Sequence, residues 1–322
     1  MSLELEDLKV VALAGGVGGA KLVLGLDRVL KPGNLSVIVN TGDDFEHFGL
    51  SISPDLDTIC YTLAGIVDPI KGWGLADETY QVSEHLKSLH SPTWFTLGDK
   101  DIATHLERTR LLREGWSLSQ VTRHFCQLWG VHSWVFPMSD TPARTLVNTK
   151  EKGLMSFQEY FVKHQFQPEV LSLVYERPDG TRVPEAALKA LETCDLVVIS
   201  PSNPLLSIAP ILNNKDLRNL LESKLVIAVS PIIQGQALKG PAAKLYKELG
   251  FEPHAKTVLA AYETFLDAFI YDVLDAPDFE NEVFKDIIIH KAQTIMKSES
   301  DKIALARTVL ELGLQIMEKA LR

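Results

Sequence analysis

Acidic side chains are concentrated in one short stretch of the sequence, NTGDDFEHFGLSISPDLDT. Carboxylates this close in sequence repel one another unless a cation lies among them, and Mg²⁺ is commonly held by one or two carboxylates together with phosphate oxygens. The stretch therefore predicts metal or substrate binding by its cluster of acids, Asp43, Asp44, Glu46, Asp55 and Asp57. The alternative is structural, because SPDLD is also typical of a helix start, with Ser53 as its cap and Asp57 as a surface charge.

A glycine-rich turn, AGGVGGAK, separates an apolar run from a helical pattern near the start of the chain. Glycines let the backbone approach an anion closely, and N–H groups at the amino end of a helix point at it. The turn therefore predicts phosphate binding, although its spacing matches neither the dinucleotide fingerprint nor the Walker A loop. A tight structural turn with a solvated lysine is the alternative. The candidate phosphate-binding residues are Gly15, Gly16, Gly18, Gly19 and Lys21.

Two further loops carry polar groups that could contact a nucleotide. The loop SPSNPLLSI follows a strand-like run and offers Ser202, Asn203 and Ser207, which could bind phosphate, recognise a base or cap the next helix. The loop LGDKD offers Asp99 and Lys100, although a helix-capping turn explains this motif equally well.

The motifs of covalent catalysis are missing from the sequence. There is neither a G-x-S-x-G nucleophile elbow nor an H-E-x-x-H metal motif, and no Cys/His pair stands out. Binding groups and acids without a nucleophile favour direct transfer of a phosphorus group, a reaction that depends on positioning and charge neutralisation.

Short apolar runs, each followed by a loop and a helical pattern, must position these groups. Continuous apolar runs bounded by turn residues are typical of strands buried on both faces, and their alternation with helices predicts a parallel sheet. We therefore expect an α/β, Rossmann-like fold of three layers, with ligands bound beyond the carboxyl ends of the strands. The clearest predicted strands are Val10–Ala14, Leu35–Asn40, Leu196–Ser200 and Leu225–Ser230.

The middle of the chain has a different pattern. Residues 71–130 are mainly helical in character and predict an insertion that covers the ligand edge, between core segments 1–70 and 131–322. Ser117 is a predicted helix cap within it. After the insertion, HSWVFP, ARTLVNT and FQEYFVKH predict short strands, and an amphipathic helix begins near Glu299.

Composition narrows the possible partners. The 322-residue chain carries a net charge of −10, which argues against a nucleic-acid partner. No apolar stretch approaches the roughly 18 residues needed to span a bilayer. Three widely spaced cysteines, without a CxxC pair, are typical of reduced thiols, so we expect a cytoplasmic protein without disulfides.

Several motifs, taken in order, resemble those of the 2-phospho-L-lactate transferase family of coenzyme F-420 biosynthesis. They run from about residue 10 to the C-terminus, and the resemblance is weakest after about residue 255. These motifs are AGGVGGAKLVLGL, NTGDDFEHFGLSISPDLDTICYTLAG, GWGLADET, LGDKDIATHLERT, FPMSD, FQEYFV, SPSNPLLSI and SPIIQGQALKGPAAKL.

The resemblance implies a reaction. A guanosine diphosphate ester of 2-phospholactate, or of its enolpyruvyl counterpart, would donate its phosphorus group to the terminal ribityl hydroxyl of 7,8-didemethyl-8-hydroxy-5-deazariboflavin and release GMP. The resemblance also implies a need for Mg²⁺ and a homodimer. By this resemblance Asp43, Asp44, Asp55 and Asp57 would hold Mg²⁺ or orient the attacking hydroxyl, with Asp43, Asp44 and Asp55 as the metal ligands. Asp55 and Asp57 match the family's acidic pair and would be the catalytic residues.

The resemblance further assigns the two sides of the site. The glycine turn would hold the donor's phosphates, and the loop after the Leu196–Ser200 strand would line the guanosine side. The insertion, with Trp73, Trp94 and Lys100, would cover the flat deazaflavin ring. Some relatives carry Arg where this chain has Lys100, and lysine lacks the bidentate fork of arginine.

Two other functions share some of these features. A sugar-nucleotide-binding metabolic regulator of the gluconeogenesis-factor type would have the glycine turn and the acidic loop without transferase activity. A nicotinamide-dependent oxidoreductase would also have a glycine turn, but the missing third glycine of the fingerprint and the acidic cluster argue against it.

Overall fold

A parallel sheet forms the centre of the molecule in the computed structural model, which describes residues 4–177, 181–237, 242–275, 279, 284 and 286–320. Within these residues the sheet has seven strands in the order β14-β13-β10-β9-β1-β2-β5. Every neighbouring pair is parallel. The strands are β1 Val10–Ala14, β2 Leu35–Val39, β5 Trp134–Pro137, β9 Leu196–Ile199, β10 Val226–Val229, β13 Ala268–Asp272 and β14 Ile288–Ala292.

The four strands predicted from apolar runs are confirmed. All residues of β1, β2, β9 and β10 are buried, because helices cover both faces of the sheet. The chain proceeds from β1 through β2 to β5 on one side and returns to β9 on the other. The strand order therefore reverses between β1 and β9, which is where ligands bind in open sheets of this type.

Helices form the two outer layers. Val10, Ala12 and Ala14 pack with α1, α2 and α11 on one face, while Val11 and Leu13 pack with α6, α7, α8 and α10 on the other. The helices are α1 Gly16–Val29, α2 Pro54–Ala64, α3 Gln81–Ser88, α4 Asp99–Arg113, α5 Leu118–Leu128, α6 Glu185–Thr193, α7 Ala209–Leu212, α8 Lys215–Leu221, α9 Ala242–Glu248, α10 Ala255–Tyr262 and α11 Glu299–Ala320. This arrangement confirms the predicted Rossmann-like fold.

Two glycines bring α11 close to its neighbours. A Cβ on Gly25 of α1 would overlap the Lys302 carbonyl of α11. A Cβ on Gly313, inside α11, would lie 3.0 Å from the Leu196 side chain. The predicted C-terminal helix is therefore present, and its internal glycine gives it close contact with the sheet.

The segment between α2 and β5 contains α3, α4 and α5. The predicted start of α5 is confirmed: Ser117 accepts a hydrogen bond from the Gln120 N–H, and the Gln120 side chain accepts one from the Ser117 N–H. This reciprocal capping box satisfies two N–H groups at the helix end. Cys126 of α5 meets Cys60 of α2 with 3.6 Å between their sulfurs, and all three cysteines are free thiols.

A small antiparallel sheet lies outside the main one. Its order is β7-β6-β8, and the predicted strand ARTLVNT forms its centre. These strands are β6 Arg144–Thr149, β7 Gly153–Ser156 and β8 Val170–Glu176. A tight hairpin joins β3 Phe45–His47 to β4 Leu50–Ile52, and a second short hairpin joins β11 Ile232–Ile233 to β12 Gln236–Ala237.

The predicted strand FQEYFVKH is wrong. Glu159–Lys163 forms a π-helical turn, and the Ser156 hydroxyl accepts a hydrogen bond from the Glu159 N–H at its start. Phe157, Tyr160 and Phe161 are spaced to share one helical face, which packs into a small core. Their aromatic character favoured a strand, but their spacing already indicated a helix.

Throughout the part of the chain that the structure describes, every helix is too short or too polar to cross a bilayer.

Candidate functional site

A cavity of about 660 Å³ opens at the edge of the sheet where the strand order reverses. Loops that follow β1, β9, β10 and β14 line it, together with residues of α2 and α4. The structure brings most of the predicted site residues together there. Those that line the cavity are Gly15, Gly16, Gly18, Lys21, Asp43, Asp55, Asp57, Ser202, Asn203 and Ser207.

The glycine turn packs tightly against the rest of the site. The Gly15 N–H donates to Ser202 Oγ at 3.0 Å, and the Gly16 N–H donates to Asp55. A Cβ on Gly15 would overlap Asp55, and a Cβ on Gly18 would overlap the Pro201 carbonyl. The glycines are therefore required by close packing within the protein. The first turn of α1 still provides N–H groups without intrahelical partners at the cavity wall.

Two other candidate phosphate-binding residues have defined positions. Gly19 lies behind the cavity lining, where a Cβ would overlap Ser202 Oγ. Lys21 lines the cavity, and its ammonium donates to the Met296 carbonyl at 3.0 Å. That bond holds the Lys21 charge near the loop that follows β14.

Asp55 is the carboxylate closest to the glycine turn. It is 7% exposed and accepts a hydrogen bond from Asn40 Nδ2 at 2.9 Å, in addition to the Gly16 N–H. Burial raises its pKa to about 6, although both hydrogen bonds act in the opposite direction. Its hydrogen-bond donors within the described residues are neutral, so no cationic side chain among those donors balances its charge.

Asp43 is buried beside Asp55, and Asp44, which follows it, is partly buried. Burial raises the pKa of both groups well above its usual value; the negative charge of Asp55 adds to the shift at Asp43. Each has one oxygen, Oδ1, that is buried without a hydrogen-bond partner among the described residues. Asp44 accepts from the Ser53 hydroxyl at 2.7 Å and does not line the cavity. The predicted Ser53 side-chain cap is thus absent, although the helix starts where predicted.

This arrangement fits a divalent cation. A buried, unpaired carboxylate oxygen on Asp43 beside the Asp55 carboxylate is a hard oxygen donor set. The described residues do not form a complete cage, because no three acidic, histidine or cysteine side chains among them are placed to hold a metal. Mg²⁺ typically keeps part of its coordination for water and substrate phosphate.

Asp57 has an ionic partner that the sequence analysis did not identify. Arg108 of α4, 3% exposed, donates from Nη2 to Asp57 Oδ1 and from Nη1 to Asp57 Oδ2 at 3.1 Å. The same Nη1 donates to His105 Nδ1 at 3.1 Å. Burial lowers the pKa of His105 to about 4, so the ring is neutral near pH 7. Asp57 is therefore part of a buried ion pair at the cavity wall.

Asp101 is a second group that the sequence analysis missed as a site residue. Its Oδ1 accepts from the Tyr61 hydroxyl at 2.8 Å, and burial, followed by the charge of Asp57, raises its pKa to about 7. Asp101, His105 and Arg108 follow one another at intervals of four and three residues, which places them on one helix face. That spacing was the available signal in LGDKDIATHLERT.

The predicted ligand residues of the same motif have structural partners instead. Asp99 accepts from the N–H groups of Gln81 and Val82 and so caps α3. Lys100 donates to the Ala76 carbonyl at 2.9 Å. Neither side chain lines the cavity. Glu78 caps α4 by accepting from the N–H groups of residues 100 and 101.

The loop after β9 combines capping with contact to the cavity. Asn203 Oδ1 accepts from the Leu205 and Leu206 N–H groups and caps a π-helical turn, Pro204–Ile208. Ser202 and Ser207 flank the glycine turn on its other side. The loop therefore holds three polar side chains at the cavity in a fixed geometry.

Aromatic side chains lie where the insertion, residues 71–130, meets the cavity. Trp73, about half exposed, lines the cavity as expected. Trp94 does not; its ring packs edge-on against His47 with 5.1 Å between centroids. Its neighbour Phe95 lines the cavity instead.

Comparison with known proteins shows the family to which this chain belongs. A family model described as 2-phospho-L-lactate transferase CofD matches residues 10–319. The chain belongs to the 2-phospho-L-lactate transferase family. Membership confirms the transferase activity in coenzyme F-420 biosynthesis that the sequence motifs predicted.

Full-length relatives carry two different names. A phosphoenolpyruvate transferase from Thermobifida fusca is 36% identical, over 97% of this chain and 100% of that protein. A 2-phospho-L-lactate transferase from Methanosarcina acetivorans is 38% identical, over 94% of this chain and 98% of that protein. The 2-phospho-L-lactate transferase of Methanocaldococcus jannaschii is 36% identical, over 94% of this chain and 97% of that protein.

A solved structure shares the fold. The crystal structure of a upf0052 family member from Bacillus halodurans superposes with a TM-score of 0.62 at 12% identity, covering 94% of this chain and 99% of that chain. At this identity the likeness supports the fold alone.

Proposed function

We propose that the cavity binds a guanosine diphosphate-linked donor along the sheet edge and a deazaflavin acceptor beneath the insertion. One observation carries the proposal: the buried carboxylates Asp43 and Asp55 lie at the amino end of α1, where phosphate groups bind. Carboxylates are unfavourable next to phosphate unless a cation joins them, so the two features together favour a metal–phosphate site.

The chain's own groups would hold the donor. N–H groups in the first turn of α1 would donate to phosphate oxygens, and the Lys21 ammonium would contribute positive charge from the same helix. Ser202 and Ser207 would add hydroxyl donors from the opposite side. These groups are preorganised, because each lies on a loop or helix start that packs closely against its neighbour.

Asp43 and Asp55 would bind Mg²⁺ together with donor phosphate oxygens, and Asp44 would support them from behind. When bound, the ion would neutralise charge on the phosphates during transfer. The unpaired Oδ1 of Asp43 supports this assignment.

The reaction would be a direct displacement at phosphorus. The terminal ribityl hydroxyl would form a bond to the distal phosphorus, the bond from that phosphorus to the GMP oxygen would break, and GMP would leave with the bonding electrons. The hydroxyl proton would pass to a carboxylate of the Asp43–Asp55 pair. Asp57, fixed by Arg108, would help to orient the acceptor.

Product analysis with defined donors tests the proposal. The protein is incubated with the deazaflavin, Mg²⁺ and a guanosine diphosphate donor that carries a lactyl, enolpyruvyl or glyceryl group, and the products are identified by mass. We expect one phosphodiester product and equimolar GMP, both lost when Mg²⁺ is chelated. Full activity without a divalent cation would overturn the metal assignment, and failure with every donor would overturn the proposed substrates.

A competition assay identifies the donor. Relatives of nearly equal identity are named for phosphoenolpyruvate and for 2-phospho-L-lactate transfer, so similarity does not favour one. The preferred donor has the higher kcat/KM when both are present. Homodimer formation is a further part of the proposal, and sedimentation of the purified protein tests it.

A further inference from the structure

The insertion presents two polar groups to the cavity from one face of α4. Asp101 and His105 are four residues apart, which places their Cβ atoms about 5–6 Å from each other. Both line the cavity. His105 is only 2% exposed, so this ring is built into the wall and does not extend from a mobile surface.

The hydrogen bond from Arg108 determines the tautomer of His105. A guanidinium has only donors, so His105 Nδ1 must be the acceptor in its 3.1 Å contact with Arg108 Nη1. A neutral imidazole that accepts at Nδ1 carries its proton at Nε2. No group among the described residues accepts from Nε2. The ring therefore offers one N–H donor for a ligand.

Asp101 offers the complementary group. Its Oδ1 is occupied by the Tyr61 hydroxyl at 2.8 Å, whereas its Oδ2 has no hydrogen-bond donor in the described part of the chain. An acceptor and a donor thus lie side by side on the helix. Around them the wall is apolar or aromatic and includes Ile52, Phe95 and Leu97. A flat heterocycle with an N–H next to a carbonyl fits this combination.

We propose that Asp101 and His105 recognise the imide edge of the deazaflavin's pyrimidinedione ring. Asp101 Oδ2 accepts the imide N–H, and His105 Nε2–H donates to an adjacent carbonyl oxygen. Arg108 is a positioning residue, because it acts through the His105 tautomer. This inference rests on the proposed function, in which the acceptor binds beneath the insertion.

A double-mutant-style cycle, which combines a protein substitution with a ligand modification, tests the contact with Asp101. Wild type and Asp101→Ala are titrated at pH 8 with the deazaflavin and with its derivative methylated at the imide nitrogen, and the absorbance shift gives each Kd. For wild type, we expect methylation to raise Kd about tenfold to a hundredfold, because a hydrogen bond to a charged group is lost. For Asp101→Ala, the same methyl group should have little effect. Equal penalties in both proteins would overturn the contact.

The contact with His105 is tested by a conservative pair. His105→Phe keeps a ring but removes the donor, and we expect it to raise Kd for the deazaflavin about tenfold. His105→Gln keeps an amide N–H and should restore most of the affinity. Equal losses in both variants would contradict a donor role. Glu107→Gln, an exposed carboxyl on the same helix, is the matched control and should bind normally.

Nitrogen NMR of labelled histidine tests the positioning role. Wild-type His105 should show a protonated Nε2 and an unprotonated Nδ1. Arg108→Lys removes the guanidinium that donates to both Asp57 and His105. We therefore expect a mixture of His105 tautomers and a weaker affinity for the deazaflavin. An unchanged tautomer with weakened binding would show that Arg108 acts by another route.

These outcomes separate the inference from the proposed function. If wild type binds the deazaflavin and makes product but the cycle shows no coupling, the imide contact is wrong and the transferase site stands. If wild type does not bind the deazaflavin, both proposals fail.

Discussion

The cavity holds its carboxylates by different means on two walls: the sheet-edge wall, where the loops after β1 and β9 meet Asp55, and the insertion wall, where α4 meets Asp57. On the sheet-edge wall, Asp55 is held by the Asn40 amide and the Gly16 N–H, which are neutral donors. On the insertion wall, Asp57 is held by the guanidinium of Arg108. The two aspartates are two residues apart in the same helix turn, yet only one of them has a cationic partner.

This difference distinguishes a carboxylate that can bind a ligand, Asp55, from one that stabilises the cavity wall, Asp57. A carboxylate that already has a buried arginine gains little from a further cation, whereas one with neutral donors retains its attraction for a metal ion. Asp55 is therefore the better candidate for the chemistry, and Asp57 for holding the insertion against α2. Four substitutions test that division.

Asp55→Asn should have the largest effect on activity. We expect kcat to fall roughly 10²–10⁴-fold, because the proposed metal ligand and proton acceptor would be lost. Asparagine keeps an acceptor oxygen for the Asn40 amide, so the thermal unfolding midpoint should stay near that of wild type. Product analysis measures the rate. Near-normal turnover would remove Asp55 from the mechanism.

Asp57→Asn should instead affect stability. Removing one partner leaves Arg108 buried without its counter-charge, which costs about 3–5 kcal/mol in the free energy of unfolding. Denaturant unfolding measures the loss. The exposed pair Glu107–Arg110 is the matched control, and Glu107→Gln should cost less than about 1 kcal/mol. Similar losses in the two variants would contradict the structural role of Asp57.

Gly18→Ala tests the close packing of the sheet-edge wall. Its methyl group would overlap the Pro201 carbonyl, and overpacking of this kind costs about 1–3 kcal/mol. Gly115, in open space at a φ of 93°, is the control, because Gly115→Ala costs about 1–2 kcal/mol through its backbone alone. We expect both variants to lose stability but only Gly18→Ala to lose donor affinity, measured by calorimetric titration.

Asp101→Asn should change how stability depends on pH, by the smallest amount of the four. The folded pKa of Asp101, about 7, lies above its unfolded value, so the folded state binds more protons and wild type loses stability as pH rises through 7. Asparagine removes this titration. Between pH 6 and pH 8 the variant should gain roughly 1 kcal/mol relative to wild type. Parallel pH profiles of unfolding free energy would contradict the assignment.

The sheet-edge wall was predictable because its signals are local. Apolar runs mark β1 and β9, and the polar loops follow directly at their carboxyl ends. Since parallel strands bring those ends to one edge, the sequence already placed Gly15, Asp55 and Ser202 near one another. The strand predicted for FQEYFVKH was wrong, although its signal was also local. Its aromatic composition is typical of a strand, but the spacing of the same eight residues is that of a helix.

The insertion wall was not predictable, because its partners are distant in sequence. Arg108 meets Asp57 across 51 positions, and Tyr61 meets Asp101 across 40. The helix face of Asp101, His105 and Arg108 is visible in the sequence, but nothing local shows what it packs against. Asp99 and Lys100 are charged but have structural partners, whereas residues later in the same helix, Asp101, His105 and Arg108, line or support the cavity.

The hydrogen bond between the Gly15 N–H and Ser202 Oγ joins residues 187 positions apart. During synthesis the amino-terminal half must wait for β9 and its loop to leave the ribosome before this edge of the cavity is complete. Such long-range parallel pairing slows folding, because loop-closure entropy is lost before the contacts form. A nascent chain truncated before residue 200 therefore carries the glycine turn without the Ser202 loop that packs against it.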